Sequence, residues 1–466
     1  MDNTIKYFKE ISKIPRPSGK EEKIKDYLVN FAKKHNLEYF TDNTHNVIIK
    51  KKSNKGSNKT LILQAHTDMV CEKFSKVQFD FDKQGINLLE NEEFLYANGT
   101  TLGADDGIGV SMILSVLSDQ NLKIPNLEAV FTTQEETTMA GALALDFNHL
   151  KGEHLLSLDG TDEGKIEVSS AGMVTIKLSK NCQEEITSNK TAYTLSLFGL
   201  QGGHSGAEIH RNLLNGIKLL FEFLNKYKED INIVSITGGG KANAIARECS
   251  CVVLINKLNA VAFEKSFKEF CNSYKYLESE IDCKILPNTR FGNKMLTQEE
   301  TKNIISFVCS HKDGVLIYSE KDKNFPTTSN NFANICLSES KLEIIISLRS
   351  SVKTQEKQEL DKLLTLASSH NINSQILSTA PFFERKENSY LQKICLDNYK
   401  KLFNEEAILE DVHAGLEGGV FAQKRPNIDI CVIAPNLYNI HTPTERVSKK
   451  SIEKTYSWLE SIIESF

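Results

Sequence analysis

Short apolar runs alternate with amphipathic stretches through the first third of the chain. Between Lys20 and Lys34, Ile24, Tyr27, Leu28 and Phe31 recur at helical spacing and share one face. Thr60–Gln64 (TLILQ) is a continuous apolar run, the pattern of a strand covered on both faces. Ile108 to Leu117 reads as a helix, with Ile108, Met112, Ile113, Val116 and Leu117 apolar. Leu127–Thr133 and His154–Leu158 read as further buried strands. This alternation predicts an open α/β sheet, mainly parallel. The end of the chain returns to the same grammar, with a strand at Ile428–Ala434 and a closing helix from Val447 to Phe466.

The middle of the chain differs. Thr191–Phe198 leads through a loop into a helix from Asn212 to Tyr227. Cys251–Leu258 and Lys341–Leu348 are strands, each followed by a Lys/Glu-rich helical stretch. Residues 191–384 are therefore expected to form an inserted α+β domain, flanked by 1–190 and 385–466 as the two parts of the first.

Composition narrows the class. The chain has 466 residues, 40% hydrophobic and 25% charged, which excludes a wholly disordered or fibrous protein. Lys+Arg number 56 and Asp+Glu 61, so the net charge is 56 − 61 = −5, which argues against nucleic acid as the partner. No apolar run approaches the roughly 20 residues of a membrane span, and the first residues lack a signal-peptide pattern. The ten cysteines include no CxxC pair, as in a reduced compartment. A soluble cytoplasmic protein with no membrane or nucleic-acid partner is the expectation.

The candidate chemistry lies at strand ends. His66 and Asp68 form H-x-D after Thr60–Gln64, and Asp105 and Asp106 sit in GTTLGADDGIG, a Gly-bounded loop opening a helix. Glu135 and Glu136 follow Leu127–Thr133, Asp159 follows His154–Leu158, and His441 lies in NIHTPTERV beyond Ile428–Ala434. Each alone has a plainer reading: a chance pair, a helix cap, solvated surface, a turn residue or a structural loop histidine. Together they fall past the C-terminal ends of predicted parallel strands, where open α/β sheets bind ligands. So many carboxylates at one edge require cations to neutralise them. Imidazole and carboxylate donors without cysteine suit zinc, or less specifically manganese or cobalt. A carboxylate shared by two ions is the pattern of metal-assisted amide hydrolysis.

These segments resemble the aminoacyl-histidine dipeptidases (Xaa-His dipeptidases, the carnosine-cleaving type) within the superfamily of di-zinc exopeptidases and aminoacylases. The resemblance runs through IPRPSGKEE, LQAHTDMVCEK, TTLGADDGIG, TTQEET, SLDGTDEGKI, GLQGGHSGAEIH, TSNN, LRSS, HAGLEGG and IHTPTERV, in that order and spacing. It implies a mainly parallel-sheet catalytic domain with an inserted lid, two Zn2+ per chain (Mn2+ or Co2+ as substitutes), a small peptide substrate and a homodimer formed through the lid.

Carried over by position, the resemblance has His66, Asp105 and Asp159 holding one zinc and Asp105, Glu136 and His441 the other. Asp68 would orient His66, and Glu135 would be the general base for a metal-bridging hydroxide. His204 of GGHSG would stabilise the oxyanion, from its own chain or from a partner subunit. Asn243 of KANAIARE and Arg349 of LRSS would bind the substrate's C-terminal carboxylate, and Glu417 of HAGLEGG would lie near its amino end. A cis peptide between Asp105 and Asp106 is implied as well. His45 departs from the Gly common at its position, and Asp105–Asp106 from the Asp-Asn of close relatives. A sister exopeptidase or aminoacylase with another substrate, and a silent peptide- or metal-binding relative, are the alternatives.

Overall fold

A computed structural model describes residues 3–187, 191–255, 260–288 and 294–466. The end of the strand expected at Cys251–Leu258 lies outside them; the described strand is Cys249–Ile255. Two compact units are formed. The first comprises Met1–Ser170, Phe382–Val412 and Leu416–Phe466, the second Ala171–Pro381 with His413–Gly415.

The first unit is built on an eight-stranded sheet. From one edge the strands are Glu38–Thr41, Val47–Lys51, Asn126–Thr132, Thr60–His66, His154–Ser157, Asp429–Val432, Lys165–Ser169 and Ile408–Asp411. Thr60–His66 runs parallel to Asn126–Thr132 and to His154–Ser157, which in turn is parallel to Asp429–Val432. Leu61, Ile62 and Leu63 are fully buried, as an apolar run in a doubly covered parallel strand requires. The helix Ala104–Ser118 is apolar all round and buried along almost its whole length. It starts irregularly: Asp105 and Asp106 have non-helical dihedrals, and the peptide between them is cis. A four-stranded sheet orders Leu437–Tyr438, Arg446–Ser448, Phe94–Ala97 and Leu88–Glu90, and His441 sits in the turn joining its first two strands. The closing helix is Lys449–Ser465, packed through Trp458, Leu459 and Ile462.

The second unit starts at Ala171, ahead of the boundary expected at Thr191. Strand Gly172–Asn181 pairs with Lys341–Ser350 and with Asn373–Ala380, so it belongs to the later sheet. That sheet contains the same motif twice. Ala192–Phe198, helix Gly216–Asn225, Ile231–Gly239, Cys249–Ile255, helix Ala260–Asn272 and Asp282–Asn288 form a β-α-β-β-α-β unit with strand order 4-1-3-2. Gly172–Asn181, helix Gln298–Ser310, Pro326–Ser338, Lys341–Ser350, helix Lys353–Ser369 and Asn373–Ala380 repeat that order. The first motif is inserted into the second, after its first strand. The two join antiparallel through their second strands, with Thr237 opposite Cys336 and Gly238 opposite Ile335. One apolar core, including Phe221, Phe267, Phe307 and Ile346, serves both.

Candidate metal centre

The five ligands expected from the sequence converge in the first unit. His66 ends its strand, and its Nε2 lies 3.1 Å from Asp105 Oδ1 and 3.4 Å from Asp159 Oδ1. His441 Nε2 lies 3.1 Å from Asp105 Oδ2 and 3.0 Å from Glu136 Oε2. Asp105 thus stands between two imidazoles, one oxygen toward each, as a shared ligand would. Donor atoms of His66, Asp105 and Glu136 all lie within 4.8 Å of one another. His441 adopts a left-handed backbone (φ 61), which turns it back toward Asp105.

Asp68 does more than orient a ring. His66 Nδ1 lies 3.2 Å from the Asp68 backbone oxygen and 3.5 Å from its carboxylate. The carboxylate accepts from the backbone N–H groups of Glu135 (3.0 Å) and Glu136 (3.2 Å), and from the Ser18 hydroxyl (2.7 Å). It therefore fixes the loop carrying the predicted base and one predicted ligand. Glu417 is buried, and accepts from Gln64 Nε2 at 2.7 Å and from the Thr132 hydroxyl.

Sequence reading missed the residues that hold the ligand loops through backbone atoms. The Glu445 carboxylate accepts from the N–H groups of Leu102 (2.7 Å), Gly103 (3.1 Å) and Ala104 (2.8 Å), cradling the entry to Asp105. Arg16, buried, donates to Thr67 O (3.0 Å), Asp68 O (3.1 Å) and Gly103 O, tying two ligand-bearing loops together. Asp106 accepts from His66 N (3.3 Å) and Gly109 N (3.1 Å). The only signal was position: Arg16 lies in IPRPSG and Glu445 in IHTPTERV.

Electrostatics show what the cluster lacks. Burial and then the neighbouring carboxylates push Asp159 up to about 6 against the pull of His66, and burial and Asp159 push Glu135 well above the carboxylate range. Burial raises Glu417 to about 8. Burial opposes a charged His66, yet Asp159 and Asp105 overcome it and raise that imidazole. His441 rises to about 10 in the same way, through Asp105 and Glu136. Among the described residues, eight carboxylates (Asp68, Asp105, Asp106, Glu135, Glu136, Asp159, Glu417, Glu445) meet one guanidinium, Arg16, and two imidazoles. A set of imidazole and carboxylate donors with surplus negative charge fits divalent cations.

Residues 62–465 match Peptidase family M20/M25/M40. The chain belongs to this family. It is therefore a hydrolase acting on peptide bonds. This peptidase is 31% identical to the cytosol non-specific dipeptidase of Escherichia coli (strain K12), over 98% of this chain and 96% of the relative. It superimposes on the aminoacylhistidine dipeptidase of Vibrio alginolyticus with a TM-score of 0.88 and 28% identity, covering 99% of this chain and 96% of that one. Human carnosine dipeptidase 1 shares the fold, with a TM-score of 0.51 and 11% identity over 99% and 95% of the two chains.

The other expected site residues of the peptidase lie in its second unit. His204 Nδ1 accepts from the N–H groups of Gly206 (3.2 Å) and Ala207 (3.0 Å), so a neutral ring carries its proton on Nε2. Asn243 is exposed, and its backbone oxygen accepts from Ser205 N at 2.9 Å. Arg349 is 5% exposed and forms no ion pair among the described residues. Among those residues, no helix is long and apolar enough to cross a membrane.

Proposed function

We propose that this peptidase hydrolyses dipeptides of the Xaa-His type in the cytoplasm. The observation that carries the reading is the convergence of five donors around Asp105 beside Glu135. Likeness to two named dipeptidases along nearly the whole chain supports it.

His66, Asp105 and Asp159 would hold one zinc ion and Asp105, Glu136 and His441 a second, with manganese or cobalt as substitutes. Bound ions would supply charge that polarises the scissile carbonyl and acidifies water. The protein's own groups do the rest. Glu135 takes a proton from the attacking water and returns it to the leaving amine. Asp68 keeps Glu135 and Glu136 in place through their backbone N–H groups. His204, protonated on Nε2, donates to the developing oxyanion. Arg349 and Asn243 take the C-terminal carboxylate, and Glu417 reads the amino end. A homodimer through the inserted unit is part of this reading, supported by the GGHSG loop.

The test is hydrolysis of an Xaa-His dipeptide with added zinc, abolished by a chelator and restored by metal. A broader dipeptide range is the second reading, favoured by the name of the Escherichia coli relative. A panel varied at each position separates them: a strong drop when His is replaced supports the first, an even profile the second.

A further inference from the structure

Buried polar atoms in folded proteins nearly always have a partner. In the second unit, Arg349 Nε and His413 Nδ1 have none among the described residues. Both side chains are about 5% exposed. They are also neighbours. A Cβ placed on Gly206 would stand 3.3 Å from Arg349 Cζ and 2.7 Å from the His413 backbone oxygen, so only a glycine leaves room between them. Ser329 lies directly across the sheet from Arg349 in the strand register, and its hydroxyl is 2.8 Å from His413 Nε2. Three residues from separate segments thus form one buried polar group with two unpartnered nitrogens.

The protonation state follows from the surroundings. Burial, and then the charge of Arg349, lower His413 to about 3, so the ring is neutral at physiological pH. A neutral ring carries one proton. A Ser329 hydroxyl donating to Nε2 places it on Nδ1, the unpartnered atom. Beside Arg349 there would then be a second N–H donor. A guanidinium and a neutral N–H suit a carboxylate, which takes a separate donor on each oxygen. A second cation there would meet repulsion from Arg349.

We propose that His413 is a specificity-determining residue: its Nδ1–H donates to one oxygen of the substrate's C-terminal carboxylate, Arg349 binds the other, and Ser329 fixes the tautomer. This rests on the dipeptidase reading above. The neutral donor makes the site select a free carboxylate over an amide by geometry as well as by charge.

The experiment compares a dipeptide with its C-terminal amide, the amide read as a substrate or, if uncut, as a competitor. The enzymes are wild type, His413→Phe, His413→Asn and Ser329→Ala, all zinc-loaded and checked for unchanged melting. His413→Phe should raise KM for the acid about ten- to hundredfold, the loss of one charge-assisted hydrogen bond, with kcat little changed. The amide should be affected far less. His413→Asn keeps a donor near the Nδ1 position and should recover most of the loss, while Ser329→Ala should show a weaker, acid-selective rise. If His413→Phe does not fold, the Asn and Ser329 variants carry the same test. Equal loss on acid and amide, or none on either, overturns the assignment of His413. A wild-type chain that cleaves no dipeptide overturns the dipeptidase reading instead.

Discussion

Two polar clusters in this protein are incomplete in opposite senses. In the first unit, carboxylates crowd around His66 and His441, and burial and then neighbouring carboxylates push Asp159 and Glu135 upward. In the second, Arg349 is buried with no ion pair among the described residues, and burial and then Arg349 push His413 down to about 3. An ordinary core pairs its charges, since an unpaired buried charge is strongly destabilising. In the reading proposed above, the first cluster takes cations and the second a carboxylate. A dipeptide bound by Arg349 would bring that anion with it, and metal ions would supply the missing positive charge.

The largest effect should come from breaking the first cluster at its proton-transfer group. Glu135→Gln keeps the shape and the hydrogen bonds of the loop while removing the base. Activity should fall on the order of 10²- to 10⁴-fold with metal content unchanged. Near-normal turnover at full metal occupancy would take Glu135 out of the mechanism. In the second cluster, Arg349→Met should raise KM for dipeptides on the order of 10²-fold, and Arg349→Lys should recover little, because an ammonium lacks the planar fork. Equal performance of Lys and Arg at that position would point to simple charge attraction in place of paired hydrogen bonding.

The two clusters also differ in how far the sequence revealed them. His66, Asp105, Glu136, Asp159 and His441 were legible because a parallel sheet brings its strand ends together, and apolar runs mark those strands. Arg16 and Glu445 were not, although they hold the ligand loops. They act on backbone atoms, which any sequence supplies, so no residue pattern announces them. In the second unit, local periodicity found Ala192–Phe198 and Lys341–Ser350 but misplaced the start. Gly172–Asn181 is separated from both its partner strands by the whole first motif, and pairing over such distances leaves no local trace. The duplicated 4-1-3-2 order was hidden for the same reason. The repeat becomes visible only once the strand order is known.

That duplication sharpens the question of the partner subunit. Mixing His204→Ala with Glu135→Gln, each inactive alone, tests whether His204 serves its own chain. In a homodimer with sites completed across the interface, half of the exchanged dimers are hybrids and each has one intact site of two. About a quarter of the activity should then return. Absence of recovery after proven exchange would mean that His204 acts within its own chain or not at all. The two motifs, already paired through Ile231–Gly239 and Pro326–Ser338, would accommodate that arrangement without a second subunit.

The smallest effect concerns stability and leaves the catalytic groups untouched. His311 is 4% exposed, has no hydrogen-bond partner on either ring nitrogen among the described residues, and packs edge-on against Phe332 at 5.4 Å. Burial, and then Lys218, lower it from 6.5 to about 3. The folded form therefore resists a proton that the unfolded chain accepts below pH 6.5. Stability from this group is complete above 6.5 and is lost progressively as pH falls toward 3. At pH 5 the loss is about 2 kcal/mol, from 1.5 units at 1.36 kcal/mol each. Asp313, raised to about 6 by burial, has the opposite sign, because its protonation in the folded form relieves a penalty as pH falls from 6. The two offset each other in the wild type, so its acid response alone decides nothing. The difference between wild type and His311→Leu isolates the histidine. Denaturant unfolding at pH 7.5 and pH 5 should show the variant gaining about 2 kcal/mol on the wild type between those values. A difference that stays constant with pH would mean that His311 takes up its proton as readily in the folded chain as in the unfolded one.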